Sequence, residues 1–329
     1  MERRKLLNAF LATASLPAAL TLTNAATAHA STLEAAGTTT KALERLRTTL
    51  DRIASDHMTP HCNPTDLTSR ALAAWRDATA LTRTRHDNIA RVAQAHAAGL
   101  LAGFHTDAGN SYEAAAWFRH AFRASPDTDT SAWVRACATW APLYRGDHER
   151  SIACAESAAG LASRRTPTGA FAYDQLARAR AAAGDHAGAR TALGTAENAL
   201  VTTRDEADAP PSLIHYTHRQ HATYAADTCA RIGDTDIARA WLGAVRSTEH
   251  NAMNRALADL TEAECFHRDG RTDEAASYAR ACLQSVSPEH RNDVITGRAR
   301  ELATLFRDTA DTASTRELRD YAATYSAAA

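Results

Sequence analysis

The sequence predicts an all-α protein, a right-handed α-solenoid of stacked helical hairpins. Three observations carry the prediction. Gly109, Gly146, Gly184, Gly233 and Gly270 recur 37, 38, 49 and 37 residues apart. Small residues stand at fixed offsets from each: Ala102, Thr139, Ala177, Ala226 and Ala263 seven before; Ala114, Ser151, Ala189, Ala238 and Ala275 five after; Ala121, Ala158, Ala196, Val245 and Cys282 twelve after. Ala-rich helical pattern flanks every glycine. A period of this size reads as repeated helical hairpins, because one hairpin cannot bury its apolar face alone. Small side chains let the paired helices approach closely, and glycine supplies the positive φ that ends the first of them.

The elements follow in order. Residues 1–30 read as a signal-like segment. Arg3, Arg4 and Lys5 precede a weakly apolar stretch, and Ala28-His29-Ala30 forms a small-residue cleavage pattern before Ser31. The run Arg3-Arg4-Lys5-Leu6-Leu7 resembles a twin-arginine signal. Polar residues interrupt the stretch too early for a stable membrane span. Residues 31–88 form an N-terminal helical region. There Leu43, Leu46, Leu50 and Ile53 share one face, and a second helix restarts after Pro64 with Leu67, Ala71, Leu72, Trp75 and Ala78.

The repeat domain is expected over 89–329. Its hairpins pair 89–107 with 111–124, 131–145 with 148–163, 168–183 with 186–202, 213–232 with 235–248, and 252–268 with 272–285. A last helix from Pro288 to about Phe306 and a degenerate capping helix, 313–326, complete it. The long interval is a loop insertion at 203–212, polar and containing Pro210-Pro211.

Composition excludes several function classes. Lys plus Arg total 37 against 38 Asp plus Glu, a net charge of −1, so no overall field draws nucleic acid or anionic membrane. Only Lys5 and Lys41 are lysines, and the arginines are spread along every helix. No phosphate-binding loop, nucleophile elbow, zinc-protease helix or dinucleotide fingerprint occurs. None of the six cysteines forms a C-x-x-C pair; Cys229, Cys265 and Cys282 fall at helix-interface offsets, where Cys packs as a small hydrophobe. His57, His61 and Cys62 read as an ordinary loop, and His215, His218 and His221 as a helix side. Cys265 and His267 diverge on their helix. The expectation is no enzyme activity, no metal and no cofactor.

The second half of each unit resembles the tetratricopeptide repeat. The first unit matches best, with Gly109, Ala114, Phe118, Ala121 and Pro126 at that repeat's offsets. The first helices depart from it: the early aromatic is mostly missing, Pro142 interrupts one helix, and the period exceeds 34 residues. In composition and repeat style the chain also resembles the C-terminal helical-repeat region of actinobacterial Xre-type transcriptional regulators, in which an Arg-Arg-plus-apolar segment like Arg3 to Leu16 often marks the junction with a DNA-binding domain. No helix-turn-helix pattern stands in this sequence, so direct nucleic-acid binding is not expected.

The resemblance implies that the first helix of each unit lines a concave groove. Projected onto it are Trp133, Trp140, Tyr144, Phe171, Asp174, Arg178, Gln220, Thr223, Asp227, Arg231, Glu264, His267 and Arg268. Aromatic anchors beside a polar wall suit a peptide or protein partner. The competing reading makes Trp133 and Trp140 an ordinary core stripe. The implied function is a cytoplasmic, regulatory peptide-binding module. The alternative is a scaffold exported by the twin-arginine route and cleaved after Ala30. Either end of the stack offers an edge for a homodimer.

Overall fold

Ala-rich sequence with turn glycines at a fixed period gives an all-helical chain in the computed structural model. The structure describes residues 39–59, 63–84, 88–202, 212–246 and 251–325. The signal-like segment 1–30, His61, Cys62 and most of the insertion at 203–212 lie outside them.

The helices are α1 (Thr39–Asp56), α2 (Pro64–Thr84), α3 (Asn88–Asp107), α4 (Ser111–Ala124), α5 (Thr128–Cys137), α6 (Trp140–Tyr144), α7 (His148–Leu161), α8 (Pro167–Ala182), α9 (His186–Thr202), α10 (His218–Ile232), α11 (Thr235–Arg246), α12 (Ala252–Arg268), α13 (Thr272–Ser285), α14 (Asp293–Thr309) and α15 (Ala313–Thr324). All five turn glycines have φ between +73° and +86°, the left-handed conformation that a helix-ending glycine adopts without a Cβ clash. All fifteen small residues at the three fixed offsets are buried.

Local chemistry sets the ends. Asp127 caps α5 by accepting from the Thr130 amide at 2.7 Å, and Asn251 caps α12 from the Asn254 amide at 2.8 Å. Three boundaries differ from the sequence expectation. The last helix, expected from Pro288, begins at Asp293 after a short 3₁₀ turn over Pro288–His290, its start fixed by Asn292, which accepts from the Ile295 amide at 2.9 Å. The expected helix 131–145 is split into α5 and α6, because Pro142 has no N–H to donate to the preceding turn. The expected helix 213–232 begins only at His218: Thr217 and Gln220 form a capping box that fixes the start there, and residues 213–217 run as irregular chain.

The first helices of successive units touch in series: α3 on α5, α5 on α8, α8 on α10, α10 on α12, and α12 on α14. Then α14 returns to contact α3 and α6, so these first helices close on themselves. The apolar core is correspondingly distributed. One cluster runs from α1 to α9 and takes in Ile214 and Tyr216, a second lies among α7 to α12, and a third joins α12 to α15. The segment 212–217 threads inside: the Leu213 amide donates to Ala54 O at 3.3 Å, and the Trp133 indole donates to Leu213 O at 2.9 Å.

Candidate functional site

Helical spacing gathers charge at the centre. Gln175 and Arg178 stand one turn apart on α8, Asp227 and Arg231 on α10, Arg298 and Glu301 on α14, so each helix presents a pair to the middle. Asp227 receives the Arg178 Nε at 3.0 Å on one oxygen. On the other it receives the Arg231 Nε at 3.0 Å and faces the Arg298 guanidinium at 3.2 Å. Arg231 grips Glu301 with both terminal nitrogens. Arg298 bridges Glu264 at 2.5 Å and Glu301 at 2.9 Å. Three arginines thus face three carboxylates with their donors largely satisfied.

Burial alone would push the Asp227 carboxyl up, yet Arg231, Arg298 and Arg178 outweigh it and hold it far below the usual carboxylate range. Glu301 is likewise drawn down to about 2: burial opposes, and Arg231 and Arg298 prevail. Arg178 completes the arrangement by donating to Gln175 Oε1 at 3.2 Å and to the Tyr144 hydroxyl at 2.6 Å. Its guanidinium lies 4.6 Å from the centre of the Tyr224 ring, a cation–π contact.

A second polar cluster adjoins this one. Asp174 on α8 is fully buried and accepts on one oxygen from the Tyr216 hydroxyl and from His221 Nδ1, the latter at 2.7 Å. Burial works against a charged imidazole, but Asp174 overrides it and raises the His221 pKa above 6.5. Tyr216 also stacks on Phe171 with ring centres 5.1 Å apart.

Between these clusters and the apolar residues of α10 to α12 lies a cavity of about 70 Å³. Its wall includes Trp140, Tyr144, Arg178, Tyr224, Asp227 and Arg298 on one side, and Met253, Asn254, Leu257 and Thr261 on another. His57, Gly103, Asp107, Gln220 and Thr223 complete it. His57 stacks on Phe104 at 5.3 Å and pairs with Asp107 at 3.0 Å, while its carbonyl accepts from the Asn251 amide group at 2.5 Å.

Of the sequence-predicted residues, Trp140, Tyr144, Arg178, Gln220, Thr223 and Asp227 meet at this cavity. Trp133 and Phe171 are buried in the apolar core. Asp174 holds the Tyr216–His221 cluster, and Arg231 and Glu264 sit within the ion-pair network. His267 is buried away from the cavity, its ring 4.8 Å from Phe306 and its Nδ1 3.1 Å from the Thr272 hydroxyl. Arg268 is on the surface, paired with Glu264 at 2.9 Å.

The histidines of α10 and the chain before it turn to separate partners: His215 to Asp51 at 3.0 Å, His221 to Asp174. Among the described residues no three metal-ligating groups converge. The thiols of Cys229, Cys265 and Cys282 are each pushed up by burial to about 12, as expected of packing residues. Sequence reasoning missed Arg298 and Glu301. A signal existed: Asp308 stands 38 residues after Gly270, and the position ten before it, equivalent to Asp174 and Thr223, is Arg298.

No protein-family model matches this chain, and no curated protein is similar to it.

Proposed function

We infer that the chain is a non-enzymatic helical-repeat module, a right-handed α-solenoid whose ends meet, and that it captures a peptide or protein partner for a regulatory purpose. The observation that supports this reading is the central cavity, with aromatic and apolar residues on its walls and oriented arginine and amide groups beside them. An apolar cavity of roughly 150 Å³ holds benzene, so one of about 70 Å³ suits a single aliphatic side chain. The partner is therefore read as a short peptide that inserts one aliphatic anchor next to Trp140, with the Asn254 and Thr223 side chains on the wall beside it to meet its backbone. A relation to Xre-type regulators, acting in the cytoplasm, is the regulatory context the sequence style supports.

Gly103 supplies the test. A Cβ there would stand 3.6 Å from the Trp140 ring, an ordinary contact, so a side chain at this position starts at the cavity wall beside Trp140. Peptides selected from a random display library on the wild-type chain should bind Gly103→Leu at least about tenfold more weakly, a loss of ~1.4 kcal/mol, with an unchanged helical spectrum. Equal binding to both proteins, or no peptide enriched on the wild type, rejects the reading.

The pattern Arg3-Arg4 with Ala28-His29-Ala30 favours a second reading, an exported scaffold. The N-terminal mass of the protein in fractionated native cells separates the two: a chain beginning at Ser31 outside the cytoplasm supports export, an intact cytosolic chain the regulatory module.

A further inference from the structure

A groove on the first two hairpins, sharing no lining residue with the central cavity, concentrates positive charge in a chain whose net charge is −1. It lies among α4, α5, α6 and α7 and has a volume of about 500 Å³, within the usual range of ligand pockets. The sequence explains its two-part character. On α4, Phe118 and Phe122 stand one turn apart, and so do Arg119 and Arg123, so an apolar row and a basic row run side by side. Across the groove Val134, Ala138 and Ala141 continue the apolar floor, while Arg135, Arg145 and Arg150 continue the basic rim.

Many arginines elsewhere are paired with carboxylates, as in the surface couples Arg190–Asp234 at 2.9 Å and Arg239–Asp269 at 2.5 Å, but among the described residues none of the unpaired ones lines a groove with four others. In the groove Arg145 reaches Asp293 at 3.5 Å. Asp147, the carboxylate of the lining, is engaged as the cap of α7, accepting from the Arg150 amide at 3.2 Å. Arg119, Arg123, Arg135 and Arg150 have no carboxylate within ion-pair distance among the described residues. Arg135 lies 4.0 Å from the centre of the half-exposed Phe122 ring, and its Nε is buried with no hydrogen-bond partner there. Like charges gathered without carboxylates repel one another in the free protein, and an anionic ligand offsets that repulsion.

We propose that this groove is a docking site for an acidic, apolar peptide segment of a partner protein, its carboxylates on the arginine rim and its apolar side chains on the floor formed by Phe118, Phe122 and Val134. The floor decides between anionic partners. A nucleic-acid backbone is recognised by phosphate contacts along a basic surface and would leave this apolar strip uncovered, whereas alternating acidic and apolar side chains cover both parts. The neutral overall charge of the chain points the same way.

The experiment uses the full chain and three labelled probes: a short peptide in which Glu alternates with Leu, the same peptide with Ser at each Leu position, and a single-stranded oligonucleotide of equal charge, each titrated by fluorescence anisotropy. The Glu–Leu peptide is expected to bind most tightly, to weaken as salt rises, and to lose at least about tenfold in affinity to the doubly reversed variant Arg119→Glu with Arg123→Glu. Both side chains are exposed, so that variant keeps its fold; Arg150→Glu on α7 repeats the test from the opposite rim. No binding of the Glu–Leu peptide, binding indifferent to both reversals, equal affinity for the Ser peptide, or tighter binding of the oligonucleotide each overturns the assignment. Gly103→Leu leaves this binding unchanged, which separates the groove from the central cavity.

Discussion

Arg298 shows how much one side chain organises. It is among the largest fully buried side chains, and it touches Asp227, Glu264 and Glu301 together. Truncating one member of such a network strands the remaining charges and typically costs about 3–5 kcal/mol, although replacing the whole network by apolar groups need not. Its role is therefore positional: it makes the ends of α10, α12 and α14 agree on one register. His221 offers the sharper measurement. Its folded pKa lies above its ordinary 6.5 because of Asp174, so the native state binds the proton more tightly than the unfolded chain. The stability from this pair is fully present below 6.5 and is lost as pH rises through the raised folded value. Urea midpoints of the wild type should therefore fall relative to His221→Gln as pH increases across that window. Gln keeps a donor for Asp174, so the comparison isolates the proton. A constant difference between the two proteins across the window would show that the imidazole is not held charged.

At the scale of the element, glycine has opposite values at two positions of one hairpin. Gly184 sits at φ +83° with open space where a Cβ would go, so only the backbone conformation resists substitution. Gly184→Ala should cost about 1–2 kcal/mol. Gly194 lies within α9, also with nothing within 4 Å, and Gly194→Ala should stabilise by roughly 0.5–1 kcal/mol through helix propensity. Thermal or urea unfolding of the two variants checks both signs; a destabilised Gly194→Ala would mean that α9 packs against something on that side. The contrast also explains what could be read in the sequence. Turn glycines and buried alanines are local, periodic signals, and the hairpin boundaries followed from them to within a few residues. The break at Pro142 was half legible: its missing N–H was plain, but where the chain would turn instead was not. The late start of α10 depended on the Thr217–Gln220 capping box, which the apolar pattern from Leu213 concealed. At the site, Trp140, Arg178 and Asp227 were found because the repeat offset carries over from unit to unit. Trp133 and Phe171 share another offset, thirteen before the glycine, and yet enter the core, because Tyr216 and Leu213 of the threaded segment cover them, and no periodic rule predicts a segment that is not part of the repeat.

For the whole molecule, the closure of α14 onto α3 and α6 is the feature that no single unit encodes. It turns an open row of first helices into the wall of a cavity, and it sets the helix that carries Arg298 and Glu301 against α3 and α6 as well as against its neighbour α12. The seam is built on a glycine. A Cβ on Gly297 would stand 2.3 Å from the carbonyl oxygen of Tyr144 and 3.1 Å from its carbonyl carbon. Those are main-chain atoms and cannot rotate aside, so in Gly297→Ala the helix must back away from α6. Two effects compete. Alanine improves helix propensity by roughly 0.5–1 kcal/mol, while overpacking typically costs about 1–3 kcal/mol. The displaced helix also carries Arg298 and Glu301, so the network that neutralises Asp227 loosens with it, and the cost should prevail. The expected result is a net loss of stability together with faster amide hydrogen exchange in α6 and α14, and little change in α9 or α11, which lie away from the seam. If the variant is as stable as the wild type and exchange in α6 is unaltered, the ends do not meet through this contact in solution, and the cavity is open where the contact would have closed it.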